Sequence, residues 1–124
     1  MEFAKLLAPE NSDYVCIEAS NIEMGILGNL LSRDVECNIY PYKETLADDR
    51  STGRGGNFTS VEKEGDYVFI IDLYSEEVVP TEFKILKKVF IQLLDDWQEK
   101  VCKHKPREVI IKYKNDQFII ETSH

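Results

Sequence analysis

Histidine, cysteine and, over most of the chain, basic charge are in short supply, and each scarcity closes off a class of function. The two histidines are His104, between Lys103 and Lys105, and His124. General acid–base work needs an imidazole in a cleft with an orienting partner, whereas a helix-end histidine among lysines complements the helix dipole. A serine or cysteine nucleophile would need such a base, so no catalytic residues are assigned and an enzyme is not expected. Cys16, Cys37 and Cys102 are an odd number at wide spacing, which suits neither a disulfide framework nor paired zinc ligands. Reduced thiols in a cytosol are the expectation. No apolar run approaches the ~20 residues of a membrane span. The opening MEFAKLLAPENSDY has a short apolar run broken by Pro9 and acids, so no signal peptide is expected and the protein is placed in the cytoplasm.

Bases are scarcest in the first two thirds. Residues 1–82 carry 17 acids and 6 bases, net −11, whereas residues 83–124 carry 6 acids and 9 bases, net +3. Such a balance disfavours direct contact with nucleic acid or anionic membrane and favours basic proteins as partners. What is present is enough apolar and aromatic material to fold: 43% of residues are hydrophobic, with 6 Phe and 6 Tyr interspersed. With 124 residues, that composition predicts one domain spanning the whole chain.

Tyr14–Glu18 reads as a first strand. From Asn21 to Arg33 the apolar Ile22, Ile26, Leu27, Leu30 and Leu31 fall at helical spacing, with Ser20 or Asn21 as cap and Gly25 or Gly28 packed close to the sheet. Val35, Cys37 and Ile39 alternate with polar residues, predicting a half-buried strand from Val35 to Tyr42 ended by Pro41. Lys43–Asn57 lacks apolar periodicity and reads as a long exposed loop. Phe58–Glu64 and Asp66–Tyr74 form a hairpin around Gly65, with Val68–Ile71 covered on both faces. Leu86 to Lys103 is an amphipathic helix whose stripe includes Phe90, Leu94, Trp97 and Val101, placing Trp97 in the core. Val109–Tyr113 and Phe118–Glu121 make a second hairpin. The fold class is therefore α+β, with mainly antiparallel strands and two helices packed on one face.

Gly53-Arg54-Gly55-Gly56 lacks the spacing of a phosphate-binding loop and reads as a flexible tip. The acid clusters Asp48-Asp49, Glu62-Glu64-Asp66, Glu76-Glu77 and Asp95-Asp96 do not match a calcium loop, so no metal or cofactor is expected. Such charge runs are either solvated faces or a surface that collectively opposes a basic partner, with tyrosines as contact anchors. The candidate partner-binding set is Tyr40, Tyr42, Glu44, Asp48, Asp49, Arg50, Arg54, Glu62, Glu64, Tyr74, Glu76 and Glu77.

The segment EFKILKKVFIQLLDDWQEK followed by KPREVIIKYKNDQFIIE, within residues 58–122, resembles small bacterial immunity proteins of contact-dependent growth inhibition and related polymorphic toxin systems. Shared features are an acidic α+β domain, an Lxx[FI]xxLLxxW-like helix and a basic hairpin. The resemblance implies a protein that binds and neutralises one cognate toxin C-terminal domain, often a nuclease with a basic groove. It would act as a monomer, or as a homodimer paired through edge strands. Two other readings stand beside it: an adaptor or regulatory module for a basic protein, and a small-ligand-binding domain using the Gly-rich loop.

Overall fold

A computed structural model describes residues 2–9, 13–74 and 81–123. Its strands form two four-stranded antiparallel sheets rather than one, and its helices number three. The first, or terminal, sheet has the order β2-β1-β7-β8, from β1 (Glu2–Leu7), β2 (Val15–Ala19), β7 (Glu108–Lys114) and β8 (Gln117–Ser123). The second, or middle, sheet is the meander β3-β4-β5-β6, from β3 (Gly53–Gly55), β4 (Thr59–Glu64), β5 (Tyr67–Asp72) and β6 (Glu82–Leu86). The α+β antiparallel class read from the sequence is the one observed.

Helix α1 (Ile22–Asn29) lies between the sheets, touching β1 and β2 on one side and β5 and β6 on the other. It buries Met24, Ile26, Leu27 and Gly28, as a helix covered on two sides requires, and leaves Ile22 exposed at its start. Asn21 caps it by accepting a hydrogen bond from the Met24 amide at 2.9 Å. A Cβ on Gly28 would stand 2.7 Å from Cys16 Sγ, so only glycine lets this helix approach β2 so closely. A π-helical turn, Leu30–Val35, continues α1. Helix α3 (Lys87–Trp97) and its π-helical extension Gln98–Cys102 lay Phe90, Leu94, Trp97 and Val101 into the same core, as the stripe predicts. The helices thus cover one face of each sheet, and among the described residues no helix lies on the opposite faces.

Three sequence expectations are corrected. Glu2–Leu7 is a strand at the centre of the terminal sheet, burying Ala4 and Leu6. Val35–Tyr42 is no strand: after a turn, Tyr40–Ala47 forms α2, with Pro41 in its first turn, where its missing N–H costs nothing. Val35, Ile39, Tyr42 and Leu46 all bury, a four-three-four spacing that belongs to helical turns. The supposed loop Lys43–Asn57 is accordingly shortened from both ends by α2 and β3. The Lys63 ammonium finishes α2, donating to the carbonyls of Thr45 at 2.7 Å, Leu46 at 3.4 Å and Asp48. Those are the orphan acceptors of a helix C-terminus.

The cysteines form the third correction. Cys37 and Cys102, 65 residues apart, are joined in a disulfide, and Cys16 is the free thiol. Each bridged cysteine lies at or just past the end of a π-helical turn, and packing of those two turns brings them together.

Candidate functional site

Strand alternation sorts the residues of the middle sheet cleanly. Thr59, Val61, Val68, Ile70, Phe83 and Ile85 point inward to the core. The register Glu64↔Tyr67, Glu62↔Phe69 and Phe69↔Lys84 places the intervening residues side by side on the open face. Down its centre run Tyr67, Phe69 and Ile71 of β5. Glu62 and Glu64 of β4 flank them on one side, Glu82 and Lys84 of β6 on the other, and Asp66 sits in the turn. Four carboxylates thus share the face with one ammonium.

That ammonium is itself informative. Lys84 Nζ stands 4.2 Å from the Tyr67 ring centroid and 5.9 Å from that of Phe69. A cation on an aromatic face is held by the ring quadrupole. The stripe therefore already holds a lysine from its own chain, beside acids that supply the opposite charge. Tyr67, although central, stays 39% exposed. Val68–Ile71 is covered on one face only, not on both.

The candidate residues from the sequence do not gather in one place. Glu62 and Glu64 lie on the open face. Tyr74 lies just past the end of β5, its ring 5.6 Å from Phe58, and is 68% exposed. Tyr40, Glu44, Asp49 and Arg50 are exposed on α2 and the turn after it, beside the inward-facing Lys63 and so across the sheet from Glu62. Asp48 accepts from the Arg50 amide at 2.9 Å and organises that turn. Tyr42 is only 4% exposed and offers a partner no contact area. Burial pushes its phenol up, with Asp34 acting in the same sense and Arg54 opposing. Arg54, itself exposed, has its guanidinium carbon 5.5 Å from the Tyr42 ring centroid. Glu76 and Glu77, like His124, lie outside the described residues.

The Gly-rich loop is ordered by an internal anion. Asp34 Oδ1 accepts from the Asn57 amide at 2.9 Å, and Oδ2 accepts from the Thr59 amide at 2.7 Å and the Thr59 hydroxyl at 2.6 Å. The Phe58 amide is shared between both oxygens at 3.2 Å. Successive amides converging on one acceptor are what a phosphate would require. Here a carboxylate of the chain itself occupies that position. A Cβ on Gly56 would come within 2.5 Å of Asp34 Cγ, so glycine is needed where the loop closes over it.

No family model, curated protein or solved structure matches this chain.

Other chemistry-bearing groups are scattered. Among the described residues no three His, Cys, Asp or Glu gather as metal ligands. No described helix is long and apolar enough to cross a membrane. Cys16 packs under Gly28, and burial pushes its thiol up, against weaker opposing effects of the Glu18 backbone and Arg33. A cavity of about 680 Å³ is walled by Tyr14, Leu31, Trp97 and Val101 and reaches Cys37. The indole N–H of Trp97 there donates to the Glu36 carbonyl at 2.6 Å.

The sequence reading missed Tyr67, Phe69, Lys84 and Glu82. The hairpin register contained the signal: pairing strands around Gly65-Asp66 sets Glu64 beside Tyr67 and Glu62 beside Phe69, which joins an acid cluster to an aromatic stripe.

Proposed function

We propose that this protein is a non-catalytic immunity protein that neutralises a basic bacterial toxin domain by seating it on the open face of the middle sheet. The observation that carries the reading is the Tyr67–Phe69–Ile71 stripe, flanked by carboxylates and already holding the Lys84 ammonium. Lysines or arginines of a partner would meet the same two attractions, aromatic face and neighbouring acid. A nuclease suits this best among toxins, because its substrate groove must be basic to attract phosphate. The surrounding acid excess speeds encounter, and covered aromatic anchors slow dissociation. The face needs no cofactor and involves no direct nucleic-acid or membrane contact.

This reading places the protein in the cytoplasm, where a nuclease meets its substrate. Disulfides are exceptional in that compartment, so the Cys37–Cys102 bridge is expected to open there while binding persists. An adaptor for a basic protein would use the same face, without toxicity of the partner.

The test is co-expression with the toxin domain encoded immediately upstream, scoring growth and co-purification. Rescue of growth with a one-to-one complex is expected; an upstream product that is neither toxic nor bound would overturn the reading. Within the complex, Glu62→Lys with Glu64→Lys should weaken binding at least about tenfold by placing like charges against the partner. Glu44→Lys with Asp49→Lys, on α2 and its following turn, should leave affinity within about twofold. The reverse pattern would move the interface to α2.

A further inference from the structure

Four strands end the two sheets, and three of them carry devices that discourage further pairing. The pairing of β2 with β1 slips between Lys5 and Leu6. Strand β3 is three residues long, and β6 is five residues long with Glu82 and Lys84 outward. Short length, irregular register and charge are the usual protections of an edge. Strand β8 has neither the short length nor the irregular register. It runs seven residues, Gln117–Ser123, in unbroken register with β7 from Lys114↔Gln117 to Glu108↔Ser123. It contains no Lys, Arg or Pro, and its one charge, Glu121, is taken by Lys112 at 2.8 Å. Among the described residues its single strand neighbour is β7. Ile119 stands 49% exposed on its outer side.

We propose that β8 pairs antiparallel with β8 of a second copy about a two-fold axis at Ile119, joining two terminal sheets into one of eight strands. The choice of a second copy rests on self-complementarity. In that register Ile119 faces its own counterpart, Phe118 faces Ile120, and Gln117 faces Glu121. Apolar residues meet apolar residues on the inner side, and an amide meets a carboxylate on the outer side. A surface that matches itself under a two-fold axis forms a closed dimer rather than a filament. Charge points to the same edge. A chain of net −8 repels its copy over most of its surface. Beside β8, however, two of the acids are already matched within the chain, Glu121 by Lys112 and Glu108 by Lys5 at 3.4 Å. Pairing one strand covers little area, so association is weak and concentration-dependent. It uses none of the residues of the open face of the middle sheet, so it does not depend on the binding function proposed above.

Sedimentation velocity of the full chain, from micromolar to near-millimolar concentration, tests the proposal. The wild-type chain should pass from monomer to dimer, and Ile119→Lys, folded by circular dichroism, should remain monomeric throughout. Ile17→Lys is the control. Ile17 is equally exposed, at 49%, but lies on β2 at the far edge of the same sheet, so its replacement should leave the dimer intact. Hydrogen exchange should slow in the β8 amides as wild-type concentration rises. A wild-type monomer at every concentration, equal loss of the dimer in Ile17→Lys, or unchanged β8 exchange across the dimerisation range would each overturn the proposal.

Discussion

Replacing Asp34 with alanine removes the acceptor for three backbone amides and one hydroxyl in a single step. These donors are not equal. The Asn57 amide is exposed, so water takes over its bond at little cost. The Phe58 amide is partly buried, and Thr59, with amide and hydroxyl both directed at Oδ2, is 2% exposed. A buried donor left without a partner costs about 1–3 kcal/mol, so two such groups on Thr59 and part of a third on Phe58 amount to about 3 kcal/mol. Asp34→Asn keeps an acceptor but turns an NH₂ toward some of the donors, and should cost about half as much. Urea denaturation with linear extrapolation measures both. Gly56→Ala supplies an independent check, because its new Cβ collides with the Asp34 carboxyl. With Asp34 already alanine the approaches to Cγ at 2.5 Å and Oδ2 at 2.7 Å are gone and only that to Cβ at 3.0 Å remains, so the double variant should lose less than the two single losses combined. A loss below about 1 kcal/mol in Asp34→Ala, or strict additivity with Gly56→Ala, would refute the view that this carboxylate builds the loop.

Reducing the Cys37–Cys102 bridge opens a loop spanning 65 residues, which by chain entropy should lower stability by about 4 kcal/mol. Urea midpoints with and without reductant measure this. Thiol titration of the oxidised chain should find one cysteine, Cys16, reacting slowly until denaturant is added, because burial disfavours its thiolate. Two or more fast thiols would contradict both the bridge and the packing. The phenols of Tyr14, Tyr42 and Tyr113 are all pushed up from 10.0, chiefly by burial. The folded chain therefore keeps protons that the unfolded chain releases above that pH. Their contribution to stability is full below pH 10 and declines as pH rises through and beyond it. Chemical denaturation between pH 8 and pH 11, with absorbance at the phenolate band, should show stability falling only at the alkaline end.

Residues whose fate is decided by neighbours in sequence were legible in the sequence. The stripe Phe90, Leu94, Trp97 and Val101 sets a helical face by its own spacing. The β7–β8 hairpin follows from Asn115-Asp116, which both adopt positive φ, 53° and 57°, in a two-residue turn. Elements decided by distant partners were not legible. Nothing local makes Glu2–Leu7 a strand; pairing with β2 and β7 on either side does. Pro41 is compatible with ending a strand or starting a helix, and the burial of Tyr42 and Leu46 against the core selects the helix. Cys37 finds Cys102 only after α1 and α3 have packed. On the open face of the middle sheet, the acids Glu62 and Glu64 stood out by composition. Their aromatic neighbours were hidden inside an apolar run whose two faces meet different surroundings.

The position of β1 also orders events in time. Its partner β7 lies more than a hundred residues further along the chain, Glu2 pairing with Tyr113. The middle sheet, by contrast, is a meander of neighbouring strands between Gly53 and Leu86. Contacts between distant residues form late, because the intervening chain must first be closed into a loop. On the ribosome, the acidic and aromatic face can therefore assemble while the first strand still waits for its neighbour to emerge. The terminal sheet closes last, and only then is the β8 edge in place.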